Sequence, residues 1–176
     1  MGKNIEIKAE CTDPEKVESI IIEKGWKSGG VENQKDTFFN VPNGRLKLRE
    51  TNENQAVLIP YFRPDMNTLR DSEYVLLKTD ETRQALSILK KMFGIRWIVS
   101  KKRKIYFYDN IRIHLDEVDS LGSFIEFEGV ISDDKMYNET QEKLEWLIEL
   151  FEIAQEQIFK EAYVDMLEKK DDTNAH

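Results

Sequence analysis

The chain alternates polar and apolar positions almost from its first residue. Asn4 to Glu10 sets Ile5 and Ile7 on one face of an expected strand and Asn4, Glu6 and Lys8 on the other. A helix should follow, with Thr12 as N-cap, Pro14 near the first helical position, and an apolar stripe of Val17, Ile20, Ile21 and Ile22 that stops at Gly25. Gly29-Gly30 reads as a turn, Gln34 to Asn40 as extended chain, and Pro42-Asn43-Gly44 as a tight turn into Arg45 to Glu50. Gln55 to Arg63 and Glu73 to Thr79 supply further strands, and Glu81 to Phe93, closed by Gly94, an amphipathic helix. Arg96 to Tyr108, Ile111 to Val118 and Ser123 to Ile131 form a β-meander through the turns Asp109-Asn110 and Ser120-Leu121-Gly122. Helical spacing returns from Asp133 to Phe151, Glu156 to Leu167 makes a short closing helix, and Asp171 to His176 is expected to fray. The pattern is that of one α+β domain over residues 1–170 with a short tail at 171–176.

Composition narrows the function. A length of 176 residues and a 40% hydrophobic fraction suffice for a single core without disulfide or metal staples. The single cysteine, Cys11, and the two histidines, His114 and His176, make no zinc site of the usual spacing, and Cys11 reads as structural. No apolar run approaches a membrane span, and Met1 to Glu10 lacks the basic and apolar regions of a signal peptide, so the expected location is the cytoplasm. The net charge of −8 argues against a nucleic-acid partner. That charge is uneven: Asp133 onward holds 13 acidic and 5 basic residues, whereas the 132 residues before it hold 21 of each sign. The acidic helical segment reads as a solvated face, with a homodimer contact as the other reading.

The charges before Asp133 are sorted. Arg45, Lys47 and Arg49 share one face of their strand against Leu46 and Leu48; Arg112, His114 and Asp116 oppose Ile113 and Leu115; Glu126 and Glu128 oppose Ile125 and Phe127. A sheet with one face in water explains alternation. It does not explain sorting by sign, since like charges on one strand repel unless an opposed strand or a ligand compensates. A barrel with its charged faces inward supplies both, with Arg and Lys for phosphate oxygens and Glu and Asp for a divalent cation. A polyphosphate travelling with a metal ion requires that mixture of signs.

The same residues resemble a known family. Asn4-Ile-Glu-Ile-Lys8 is similar to the E-x-E-x-K fingerprint of the CYTH superfamily, the triphosphate tunnel enzymes named for class IV adenylyl cyclase and thiamine triphosphatase. Gln34 to Phe39, Gly44 to Arg49, Tyr61 to Pro64, Val99 to Arg103, Ile113 to Val118, Leu121 to Glu128 and Tyr163 to Leu167 follow in that family's order. The resemblance implies a closed, eight-stranded antiparallel β-tunnel with helices packed outside. It implies that Lys8, Lys47, Arg49, Lys101 and Arg103 hold phosphate oxygens, helped by Arg45 and Arg63. Glu6, Glu126 and Glu128 would hold Mg2+ or Mn2+, and Asp116 would bind metal or orient the attacking group, so that Lys8, Arg103 and Asp116 stand nearest the chemistry. For each cation an internal salt bridge is the competing role. Lys78 and His114 carry less weight, His114 as a hydrogen-bonded spacer.

One position departs from the fingerprint. Asn4 stands where the first glutamate is usual, which removes a negative charge from the metal site. The implied substrate is ATP, thiamine triphosphate or inorganic triphosphate, and the implied activity a triphosphatase or a cyclase-like reaction. A non-catalytic module that binds a nucleotide, polyphosphate or phosphorylated partner is the reading from another class. No P-loop, G-x-G-x-x-G, G-x-S-x-G or Cys-His pair points elsewhere.

Overall fold

The computed structural model describes residues 2–52, 55–62 and 70–174. Among the described residues, ten strands and four α-helices follow the order β1 (Gly2–Glu10), α1 (Pro14–Glu23), β2 (Lys27–Phe39), β3 (Arg45–Thr51), β4 (Gln55–Phe62), β5 (Arg70–Tyr74), β6 (Leu77–Thr79), α2 (Thr82–Phe93), β7 (Ile95–Tyr108), β8 (Ile111–Val118), β9 (Gly122–Ile131), α3 (Tyr137–Leu150), β10 (Ile158–Phe159) and α4 (Tyr163–Asn174). Eight of the strands close on themselves. The order β1-β5-β4-β3-β2-β7-β8-β9 returns to β1, because β9 pairs along β1 from Lys3↔Ile131 to Glu10↔Phe124. Every pairing is antiparallel; β6 adds to β4 and β10 to β1 outside the circuit.

Alternation decides which side faces in. The apolar parity of β1, β8 and β9 turns outward, where Ile5, Ile7, Ile113, Ile125 and Phe127 pack with Ile21 of α1 and Leu144 and Leu147 of α3. Leu86, Leu89 and Phe93 of α2 cover Phe39, Leu48 and Ala56 on the opposite wall. Val164 and Leu167 of α4 pack with Phe38, Val99, Val118 and Phe124. Because Phe38 and Val99 also face the interior, α4 closes one end of the barrel. Arg45 to Asp165 at 2.9 Å and Arg96 to Glu168 at 2.6 Å tie that helix to the rim.

The structure corrects several boundaries. The N-cap of α1 is Asp13, whose carboxylate accepts from Lys16 N at 2.9 Å, rather than Thr12. Gly29-Gly30 is no turn: β2 runs through it, and the surplus residue is absorbed as an irregularity against β7 between Ser28 and Gly30. The expected strand Glu73 to Thr79 is divided between β5 and β6. The expected helix from Glu156 is a 3-10 turn at Gln155–Gln157 and the edge strand β10, with α4 beginning only at Tyr163 and running to Asn174 through positions expected to fray. Backbone pairing of β10 to Lys8 and Ala9 outweighs the local helical spacing. Among the described residues, no helix is long and apolar enough to cross a membrane. Cys11 is buried, and burial pushes its thiol up.

The seam between barrel and α3 is tight at Gly129, where an added Cβ would fall inside van der Waals contact of Thr140 Cγ2 and crowd Ile5. Gly129→Ala is therefore expected to destabilise the fold by ~1–3 kcal/mol through overpacking. Adding Thr140→Ser, which deletes the offending methyl and keeps the hydroxyl bonded to Asn110, should recover part of that loss in urea unfolding.

Candidate functional site

The inward faces surround one cavity of about 490 Å³. Its charged side chains meet as directly opposed cross-strand pairs, so the strand register sets the electrostatics. Asp36 on β2 opposes Arg49 on β3, Arg103 on β7 opposes Asp116 on β8, His114 opposes Glu126, Arg112 opposes Glu128, and β1 sets Lys8 against Glu126 and Glu6 against Glu128.

Two buried carboxylates organise the cations. Asp36 takes both Arg49 Nε and Nη2, at 2.6 and 2.7 Å, and Lys47 Nζ at 2.8 Å. Asp116 takes Arg103 Nε and Nη2, each at 2.6 Å, together with the Tyr163 hydroxyl at 2.9 Å. Burial pushes the Asp36 carboxyl up, but Arg49 and Lys47 outweigh it and hold the group well below the usual range. Burial acts likewise on Asp116, where Arg103 and Lys101 prevail and bring it to about 2. Arg103 also reaches Glu126 at 3.1 Å, and its guanidinium is held well above the ordinary value because Asp116 and Glu126 outweigh burial.

Lys101 differs from the arginines. Its ammonium lies 3.9 Å from Asp116 and 5.2 Å from the Tyr163 ring centroid, with Arg103 close by. Burial first, then the repulsion of Arg103, lowers it to about 7. Lys8 lies 3.9 Å over the face of the same tyrosine and 3.6 Å from Glu126. Tyr163, at the start of α4, thus sits beneath two cations with its hydroxyl on Asp116; burial, then Asp116 and Glu126, keeps that hydroxyl protonated well above its usual range.

Toward the other end the carboxylates gather. Glu126 lies 3.1 Å from His114 Nδ1, and although burial pushes its carboxyl up, Arg103, His114 and Lys8 outweigh that and hold it well below normal. Glu128 pairs with Arg112 at 3.2 Å and accepts a hydrogen bond from the Asn4 amide. Because a carboxylate only accepts, the Asn4 amide nitrogen is the end that meets Glu128, and the Asn4 carbonyl accepts from the Tyr74 hydroxyl at 3.4 Å.

A closed antiparallel barrel whose interior carries opposed buried charges is the architecture the sequence resemblance implies. The family model for the CYTH domain matches residues 2–163. The chain belongs to the CYTH domain family. A protein of Methanocaldococcus jannaschii, provisionally named as an adenylate cyclase, is 25% identical over 170 residues, covering 92% of this chain and 97% of the relative. The Pyrococcus horikoshii protein PH1012 superposes with a TM-score of 0.82 at 21% identity, over 92% of this chain and 98% of its own. The Hippeastrum protein HpAC1, described as having a dominant triphosphatase activity, superposes with a TM-score of 0.65 at 13% identity, over 87% and 89% of the two chains.

Of the residues singled out from sequence, this CYTH tunnel brings Glu6, Lys8, Lys47, Arg49, Lys101, Arg103, Glu126 and Glu128 to one cavity. Arg45 stands apart, turned to Asp165 of α4, and Asp116 is fully covered behind Arg103. Lys78 is exposed on β6 away from the cavity, while His114 lines it; Arg63 lies outside the described residues. Sequence reading missed Asp36, Tyr163 and Gln34 as site residues. Asp36 shares the inward parity of Gln34 and Phe38, a signal that becomes informative once its strand is paired with Arg49.

The lysine gives a pH test. With Lys101 lowered from 10.5 to about 7, the fold disfavours its charged form; that cost is full below pH 7 and fades as pH rises toward 10.5, where the unfolded lysine also loses its proton. Lys101→Met should raise the thermal midpoint by ~4 °C or more at pH 6. By pH 10 the gain should be largely gone, as differential scanning calorimetry across that range would record.

Proposed function

We propose that this CYTH tunnel binds a triphosphate together with a divalent cation and cleaves it as a triphosphatase. The observation that carries this reading is the convergence of Lys8, Lys47, Arg49, Lys101 and Arg103, all on the wall of one cavity and oriented from behind by carboxylates. The relatives' names support its two parts: the adenylate cyclase name agrees with a triphosphate ligand, and that of HpAC1 with triphosphatase chemistry.

The donor chemistry fits a hard cation. Glu6 and Glu128 are opposed on β1 and β9 with Glu126 one inward position along, and all three line the cavity. Magnesium is commonly held by one or two carboxylates plus substrate phosphates rather than by a cage of protein ligands. Among the described residues no three metal-ligating side chains stand together as a ready cluster, so a cation here would depend on substrate oxygens as well as on these carboxylates. When bound there, Mg2+ or Mn2+ would offset charge on phosphate oxygens. The other steps fall to the chain itself.

Arg49 and Lys47, fixed by Asp36, and Arg103, fixed by Asp116, present donors to the phosphate oxygens without having to reorganise. Asp116 is then a positioning residue for Arg103. An anionic ligand beside Lys101 favours its protonated form, so binding restores a charge that burial had suppressed. As water attacks the terminal phosphorus, the bridging P–O bond breaks and charge passes to the leaving oxygen, which these cations stabilise.

Incubation with ATP, thiamine triphosphate and inorganic triphosphate, each with magnesium or manganese, tests the reading: orthophosphate is the expected product, and cyclic AMP with pyrophosphate would instead mark a cyclase. Lys47→Met should lower kcat/KM by roughly 100-fold, the loss typical of one preorganised donor.

Binding without turnover is the second reading, and Asn4 favours it. Its amide satisfies Glu128 where a glutamate would leave two carboxylates facing each other and in need of a cation. Asn4→Glu should tighten Mn2+ binding in calorimetry and raise turnover; if both stay at the wild-type level, this account of Asn4 is wrong.

A further inference from the structure

Two helix faces outside the tunnel carry opposite charge, and each has an exposed apolar centre. Helix α2 holds the wall of β2, β3 and β4 through Leu86, Leu89 and Phe93. Its outer face is basic: Arg83, Lys90 and Lys91 are exposed, and no acidic residue occurs from Thr82 to Phe93. Beside these cations Ile88 is 53% exposed and Met92 is 64% exposed. They lie one turn apart at i and i+4, so they make one patch rather than two scattered side chains.

Helix α3, on the opposite wall of β1, β8 and β9, reverses the charge. Glu142, Glu145 and Glu149 are exposed around Trp146, itself 39% exposed. Two half-buried rings back the indole, Tyr108 at 5.3 Å and Trp26 at 6.2 Å between centroids. An aromatic anchor on a rigid base, rimmed by charge, has the composition of an interface centre. Among the described residues, no ion pair engages these three glutamates or the three cations of α2; Glu145 accepts a hydrogen bond from Gln141 at 2.9 Å.

A solvated helix face accounts for the charges but not for the apolar centre within each set. The two sets also match in layout. Lys91 follows Ile88 by three residues, as Glu149 follows Trp146, so the charge lies to the same side of the apolar centre on both helices. The charged flanks therefore coincide when one helix crosses the other antiparallel.

Because α2 and α3 stand on opposite walls, one chain cannot join its own two faces, and a two-fold pair cannot satisfy both contacts at once. Each copy has to use α2 on one neighbour and α3 on the next. We propose that α2 docks on α3 of a second copy, with Ile88 and Met92 against the Trp146 indole and Arg83 and Lys91 beside Glu145 and Glu149, in a head-to-tail self-association. The interface is independent of what the tunnel binds. One helix on another is a small contact, so the association is transient and rises with concentration.

Sedimentation velocity of the full chain, from micromolar to near-millimolar concentration, tests it in wild type, in Arg83→Glu with Lys91→Glu, and in Glu145→Lys with Glu149→Lys. The weight-average sedimentation coefficient of the wild type should rise with concentration, and either reversed pair should weaken association by ~10-fold or more. The second pair makes the chain less negative, so relief of net repulsion alone would strengthen association there instead. An equimolar mixture of the two variants should recover association, since a reversed α2 then meets a reversed α3. All four substituted positions are exposed, so both variants should fold as the wild type does. A wild type that stays monomeric throughout overturns the interface, and co-sedimentation of that monomer with anionic phospholipid vesicles would assign the α2 face to a membrane surface. Association that survives either reversed pair, or a mixture of the variants that stays monomeric, overturns it too.

Discussion

Burying several cations inside one small barrel is permitted only if each finds a carboxylate, and here the strand register provides it. Arg49 meets Asp36 across β2 and β3, Arg103 meets Asp116 across β7 and β8, and Lys8 meets Glu126 across β1 and β9. Removing one member of such a pair leaves a buried charge uncompensated, a loss of about 3–5 kcal/mol. A one-residue slip on any of these strands would be worse, since it would send the charged set into the helix-packed layer and the apolar set into the tunnel. Closure of β9 onto β1 therefore fixes shape and electrostatic pairing together.

The same pairing makes the cations useful. Asp36 and Asp116 approach their arginines from behind, through two nitrogens each, and so hold the guanidinium planes in place. Tyr163 adds a second restraint, its hydroxyl on Asp116 and its ring under Lys8. That restraint depends on α4, which Arg45 and Arg96 tie down from outside the cavity. Arg45 thus supports the site through the helix, though its place on β3 continues the inward series of Lys47 and Arg49.

Much of this could be read from parity along single strands. Alternation correctly separated Lys47 and Arg49 from Leu46 and Leu48, and Glu126 and Glu128 from Ile125 and Phe127, because a strand has only two faces. Parity carries no information about depth along the tunnel axis. It could not tell that Arg45 lies at the end claimed by α4 or that Asp116 lies behind Arg103. Asp36 was overlooked for a related reason: a lone acid among Gln34, Lys35 and Thr37 has no meaning until strand pairing brings it to Arg49. The closing segment failed differently, since local helical spacing from Glu156 was overruled by the pairing of Ile158 and Phe159 with β1, a contact about 150 residues distant in sequence.

Two residues adjust the balance between a stable barrel and an attractive one. A tunnel charged strongly enough to seize a polyanion would repel itself when no ligand is present, and full neutralisation by internal carboxylates would blunt the attraction. Lys101 resolves the conflict on the cationic side: burial and Arg103 lower it to about 7, so near neutral pH the site sheds part of its charge and recovers it beside an anion. Asn4 resolves it on the acidic side, where an amide donor to Glu128 replaces what would otherwise be a second carboxylate. At the first position of the family fingerprint this chain thus carries an amide donor to Glu128, and one negative charge fewer between β1 and β9.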